Sequence, residues 1–247
     1  MKIQGKECDI IFLTFVFDRR KMMQINILYE DNHLLIVEKP VNMLVQGDKT
    51  KDEDLLTVLK KYIKEEYNKP GAVFLSLVHR LDRPVGGAII YAKTSKAASR
   101  LSDQLRRRVI EREYLGVVRG IVKKDRAKLE DFLIKDTRKN EVSIVKQSNK
   151  KAKKAVLTYR KIETNHNLSL LNIKLETGRS HQIRVQLAGI GHPLYGDQKY
   201  GSKINKVGEQ IALWSHKLSF KHPTKDEVIE IVSYPPNEKP WHNFKMK

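Results

Sequence analysis

"HRLDRPVGG", His79 to Gly87, sets one acid between two bases: Asp82 lies between Arg80 and Arg83, and two glycines follow at Gly86 and Gly87. A surface ion pair needs no such frame. Upstream, "AVFLSLVHRLD" (Ala72 to Asp82) is largely apolar and predicts a strand that delivers Asp82 at its end. In extended chain, Arg80 shares a face with Asp82, two residues on. Downstream, "GAIIYAK" (Gly87 to Lys93) predicts a second strand. A carboxylate held ionised by a nearby cation is a candidate nucleophile. The plainer alternative is an Asp that hydrogen-bonds its own backbone in a turn.

On the N-terminal side, "INILYEDNHLLIVEKP" (Ile25 to Pro40) predicts two strands split by the turn Glu30-Asp31-Asn32. Leu55, Val58, Leu59, Tyr62 and Ile63 recur at helical spacing, and Pro70 and Gly71 stop that helix. On the C-terminal side, Thr94 or Ser95 can cap a helix whose apolar stripe is Ala97, Ala98, Leu101 and Leu105. "YLGVVRGIV" from Tyr114 is a strand. Lys123 to Lys154 is lysine-rich, densest at "NKKAKKA", and reads as a hairpin with basic loops. "LLNIKLE" alternates Leu171, Ile173 and Leu175 as a half-buried strand. A helix follows with Ser180 as its cap and Ile183 and Leu187 one turn apart; Gly191 and Pro193 end it. Leu213 to Val232 is a closing hairpin around His222 to Asp226. Strands cluster, helices interrupt them irregularly, and no βαβα rhythm or repeat recurs. The expected class is α+β with a largely antiparallel mixed sheet.

Composition narrows the function. The 247 residues carry 48 Lys and Arg against 29 Asp and Glu, a formal net charge of +19. That excess points to a polyanionic partner, and RNA or DNA fits it better than a merely soluble shell. One cysteine, Cys8, excludes internal disulfides and cysteine-based zinc sites and suits a reducing cytoplasm. The longest apolar run, Ile10 to Phe17, is far short of the ~20 residues of a spanning helix. Met22 and Met23 precede the first clear strand, so residues 1–24 are expected to be a leader and 25–247 the catalytic domain. No Gly-rich loop opens a helix, no P-loop occurs, and no HExxH or GxSxG is present, so dinucleotide, NTP, metal and serine-hydrolase chemistry all lack their motifs. The polar residues that remain are concentrated: Asp82, Tyr114, and the group Arg179, His181, Gln182 and Arg184 at the head of one helix.

Read together, these segments resemble the RluA-type RNA pseudouridine synthases. "HRLDRPVGG" is similar to that family's aspartate signature. "YEDNHLLIVEKPVNMLVQGD" resembles its opening strands, "EREYLGVVRG" its tyrosine strand, "LETGRSHQIRVQLAGIGHPLYGDQKYG" its longest block, and "HKLSFKHP" its closing strand. The likeness keeps this order from about Ile25 to Pro236. Val85 and Gly86 depart from the small hydroxyl residues usual after the Asp, Asn42 from a glycine, and Gln186 from a histidine. Glu111 and Glu113 flank Arg112 where basic residues are frequent.

The resemblance implies a pseudouridine synthase-like fold with flanking helices and a central basic cleft. It implies isomerisation of specific uridines in RNA, ribosomal RNA ahead of transfer RNA, without metal or cofactor. Asp82 matches the catalytic acid, which attacks the nucleotide at the ribose anomeric carbon. Tyr114 matches the residue that packs on the target base and helps remove the proton from its reacting carbon. Arg184 matches the arginine that pairs with the acid. Arg80, Arg83, Arg179, His181 and Gln182 are expected to contact RNA. The leader is too short for an S4-type RNA-binding domain, and a cytoplasmic monomer is expected. The competing readings are a non-catalytic basic RNA-binding protein and a methyltransferase; a binder has no need of the acid, and a methyltransferase would need a donor loop.

Overall fold

The computed structural model describes residues 25–246, so the leader lies outside the described part. Strand β1 (Ile27–Glu30) turns back into β2 (Leu34–Lys39), with Asp31 accepting from the backbone N–H groups of His33 and Leu34. Helix α1 (Leu55–Glu66) starts at Asp54, whose carboxylate accepts from Thr57 N–H at 3.1 Å. A two-residue strand, β3 (Ser76–Leu77), precedes β4 (Gly86–Ala92), and Thr94 caps α2 (Ser95–Arg106). Then come β5 (Glu111–Arg119), the hairpin β6 (Arg126–Asp136) and β7 (Glu141–Val145), the long pair β8 (Lys153–Asn165) and β9 (Leu168–Leu175), α3 (Gln182–Gly189), and the closing hairpin β10 (Leu213–Lys221) and β11 (Val228–Val232).

All eleven strands join one sheet, in the order β1-β2-β4-β10-β5-β9-β8-β6-β7, with β11 on β10 and β3 on β4. Every pairing of these strands is antiparallel except β4 with β10. Period-2 alternation makes the central strands apolar on both faces. In β2 and β4, Leu35, Val37, Ile89 and Tyr91 face a core shared with α1 and α3, while Leu34, Ile36, Ala88 and Ile90 face one shared with α2 and β11. The class expected from sequence, α+β on a largely antiparallel sheet, is observed. No helix among the described residues is long and apolar enough to cross a membrane.

The glycine pair acquires its reason here. Trp214 and Ser215 of β10 lie opposite Gly86 and Gly87 in the parallel pairing. A Cβ on Gly86 would stand 2.2 Å from the Trp214 ring, and one on Gly87 would stand 2.4 Å from the Ser215 carbonyl oxygen, at a φ of +108°. The glycines therefore clear space for β10, which fixes where the Asp82 loop ends. Gly86→Ala is expected to cost about 1–3 kcal/mol through overpacking. Thermal denaturation should show a Tm lower by several degrees; an unchanged Tm would mean that Trp214 moves aside freely.

Two local expectations change, and one strand appears that the sequence did not mark. The apolar run from Ala72 to Asp82 is a strand only at Ser76–Leu77, so Asp82 sits in a loop instead of at a strand end. The loop is fastened to β4 upstream of the acid, where Ile90 N–H donates to His79 Nε2 at 3.3 Å. Ser180 does not cap α3; His181 holds the N-cap position in the left-handed region, at φ 50°. Lys153–Asn165, not singled out in the sequence, is the longest strand among those described.

Candidate active site

Asp82 opens into a cleft of about 900 Å³. One wall is its own loop, Leu77 to Val85, with Leu44 to Asp48 after β2. The other is the turn into α3, Gly178 to Arg184, with Lys135 and Asn140 of the β6–β7 hairpin and Lys199. Arg112 and Tyr114 of β5 line it between them. The cleft is thus central and basic, with its acid half-buried.

The loop that carries the acid is tied down from behind. Lys39, fully buried, donates from Nζ to the carbonyls of Pro40 at 2.7 Å, Met43 at 2.6 Å and Arg83 at 3.0 Å. Three acceptors match the three hydrogens of an ammonium. Burial pulls the Lys39 pKa down to about 7, while Asp82 opposes the fall. Val85 N–H donates to the Asp82 carbonyl at 3.0 Å and closes the turn. His79 is neutral: burial, then the Arg112 charge, lowers its pKa to about 3.

The partner of Asp82 comes from far along the chain. Arg184 Nη1 lies 3.5 Å from Asp82 Oδ2. Its other two nitrogens grip Asp197: Nε to Oδ2 and Nη2 to Oδ1, each at 2.8 Å. Asp197 Oδ1 also accepts from the N–H of Lys199 at 2.9 Å and of Tyr200 at 3.2 Å. Burial disfavours the Asp197 charge, but Arg184 and these N–H groups hold its carboxyl below the usual range. Burial likewise acts against the Arg184 charge, and Asp197, with Asp82 and Tyr200 behind it, more than offsets it. The guanidinium is a fixed fork with one arm aimed into the cleft.

His181 stands on the same side of the acid, its Nε2 4.0 Å from Asp82 Oδ2. Tyr200 Oη accepts from Val142 N–H and lies 2.8 Å from His181 Nδ1, which fixes the ring's orientation. Burial keeps the imidazole neutral, its pKa lowered in spite of Asp82.

The residues expected to contact RNA divide. Arg80 is exposed at the cleft, and Arg179 lines it while donating from Nε to the Lys154 carbonyl at 3.0 Å. Arg83 pairs with Asp52 at 2.7 Å and donates to the Asn42 carbonyl. Neither Arg80 nor Arg83 pairs with Asp82, so the acid's cation is Arg184 instead of its sequence neighbours. Gln182 is buried, and its Oε1 accepts from Thr177 Oγ1 at 2.8 Å and Arg179 N–H at 3.0 Å, which shapes the turn. The densest lysine segment, "NKKAKKA", does not line this cleft, although Lys135 and Asn140 of the same lysine-rich stretch do; Lys154 pairs with Glu130 at 2.6 Å. Among the described residues no cluster of three or more His, Cys, Asp or Glu could hold a metal.

Comparison with known proteins joins this geometry to a family. The sequence model described as RNA pseudouridylate synthase matches residues 33–189, which include Asp82, Tyr114 and Arg184. The chain belongs to the RluA-type RNA pseudouridine synthases. An uncharacterized RNA pseudouridine synthase of Aquifex aeolicus is 34% identical over 218 residues, 84% of this chain and 69% of the relative. Ribosomal large subunit pseudouridine synthase C of Buchnera aphidicola is 34% identical over 232 residues, 91% of this chain and 71% of the relative. The solved structure of human RNA pseudouridylate synthase domain containing 4 shares the fold, with a TM-score of 0.72, 21% identity, and 85% and 88% of the two chains covered.

The pseudouridine synthase is therefore an isomerase that acts on RNA, and neither a plain binder nor a methyltransferase. Asp197 is the residue that sequence reasoning missed. Its signal was present in "LYGDQKYG", a lone acid among small and aromatic residues shortly after the arginine helix. Only the fold shows that this acid is buried and holds Arg184.

Proposed function

We propose that Asp82 is the nucleophile of this synthase and that its substrate is ribosomal RNA. The observation that carries the first part is the Arg184 fork, clamped on buried Asp197 with its free arm 3.5 Å from Asp82. A carboxylate so placed is oriented without being fully engaged. It would attack the ribose anomeric carbon of a flipped-out uridine. The freed uracil anion would turn and attack the anomeric carbon through its C5, displacing Asp82 as the carboxylate; the C5 proton is then lost and N1 takes one up. Extrusion of the base costs a few kcal/mol, which cations along the cleft offset through phosphate contacts. Relatives named for the ribosomal large subunit support the second part. Residues 25–247 would form the catalytic domain, behind a leader that catalysis does not need. Chemical mapping of pseudouridine in cells with and without the gene tests the substrate; a change confined to transfer RNA would overturn ribosomal RNA.

Tyr114 is proposed as the platform for the target base and as a participant in proton removal. Burial raises its pKa, against the pull of Arg112 and with the help of Asp82, so the phenol is protonated in the free protein. It must then lose its own proton before it can accept another. Single-turnover rates should therefore rise with pH above neutrality, and that rise should vanish in Tyr114→Phe. Tyr114→Phe should slow turnover by about 10²-fold or more with RNA affinity kept. Tyr114→Ala should lose affinity as well, since a base–aromatic stack is worth about 1–3 kcal/mol. A Phe variant as fast as wild type would reduce Tyr114 to a platform.

A further inference from the structure

Arg112 is a buried charge without a counterion. Its side chain lines the cleft, the residue is only 8% exposed, and buried Nε has no hydrogen-bond partner. Nη1 and Nη2 are not buried in this way; they open to the cleft, and no hydrogen bond or ion pair of the described residues engages them. The nearest acids along the chain cannot serve. Successive strand residues point to opposite faces. Glu111 pairs with Lys174 at 2.8 Å, and Glu113 accepts from Asn172 at 2.8 Å. Arg112 instead shares its face with Tyr114, two residues and about 7 Å along the strand. The wall opposite leaves room for the guanidinium: a Cβ on Gly178 would stand 2.6 Å from Nη1.

A guanidinium cannot shed its proton to escape burial. Left unpaired, it destabilises the free protein. Its partner must be an anion already charged when the substrate binds. Uracil is neutral at that stage, whereas a phosphodiester is not, and its two free oxygens match the fork of an arginine. We infer that Arg112 is the socket for a backbone phosphate beside the target uridine. This rests on RNA being the substrate, not on which group attacks it.

The test uses Arg112→Met, which keeps much of the apolar stem and removes the charge. The probe is a ribosomal RNA fragment with its target uridine mapped, and the same fragment with single neutral methylphosphonates flanking that uridine. Arg112→Met should bind the unmodified fragment about 30-fold or more weaker. Its salt dependence should be shallower by about one contact, 0.7–0.9 in the log–log slope. One methylphosphonate should weaken the wild type comparably and leave Arg112→Met almost unaffected. The free variant should melt at a higher temperature than wild type, because an uncompensated charge is gone. A lower Tm with unchanged affinity and slope would make Arg112 a structural residue and overturn the inference. So would a loss confined to turnover, which would assign the charge to the uracil. Turnover is scored separately, so failure of the Asp82 assignment would show as persistent isomerisation in Asp82→Asn and not in these binding curves.

Discussion

Asp82→Asn should abolish pseudouridine formation, a loss of at least about 10³-fold in single turnover, while RNA still binds. The amide keeps the shape of the carboxylate but cannot replace it as a nucleophile. The site around it should survive the change, because Arg184 stays fixed by its two bonds to Asp197. The Asp82 loop should largely stay in place, since Lys39 holds it through the Arg83 carbonyl and not through the acid, although loss of the Asp82 charge lets burial lower the Lys39 pKa further. RNA affinity should rise slightly, because a negative charge facing phosphate is gone. The measurement is pseudouridine formed on total RNA by excess enzyme, with binding followed in parallel. A substantial rate in Asp82→Asn would show that another group attacks, and the acid would become a positioning residue for the substrate.

Much of this site was legible because its parts lie on short, strongly patterned segments. The short apolar run Leu34 to Val37, the helical stripe from Leu55 to Ile63 and the Thr94 cap each appear where the sequence places them. The illegible parts have physical reasons. A continuous apolar run such as Ala72 to Leu81 is the same whether it forms a ladder or packs as irregular chain. β8 hides its pattern because it starts on exposed Lys153 and Lys154 and its second half exposes Arg160, Ile162 and Thr164, so no clean apolar alternation marks it. Cross-chain contacts leave no local trace. By its neighbours Asp82 seemed framed by Arg80 and Arg83; the cation that reaches it is Arg184, 102 residues away, which the sequence offered only through the family resemblance. Arg112 was visible only as a base between two glutamates; that it is buried and unpaired follows from which face of β5 it occupies.

Arg184 should prove to be two residues in one: a structural clamp through Asp197 and a positioning residue through Asp82. Arg184→Met leaves Asp197 buried without its counter-charge, held only by the N–H groups of Lys199 and Tyr200, so it should cost up to about 3–5 kcal/mol of stability and a clear fall in Tm. It should also cripple turnover, because nothing then orients Asp82. The two effects separate with a second change. Asp197→Asn keeps the Arg184 charge but replaces a carboxylate clamp by an amide, so its Tm should fall as well. If the fork must be held in place to serve Asp82, turnover in Asp197→Asn should drop at temperatures where the variant is fully folded, although Asp197 does not touch Asp82. Arg184→Lys should restore only part of the rate, since a single ammonium cannot bridge both acids. Asp82→Asn combined with Arg184→Met should be barely slower than Asp82→Asn alone, because the arginine acts through the acid that is already gone. Additive losses in that double variant would mean that Arg184 meets the substrate directly, and the line from Asp197 through Arg184 to Asp82 would not describe the reaction.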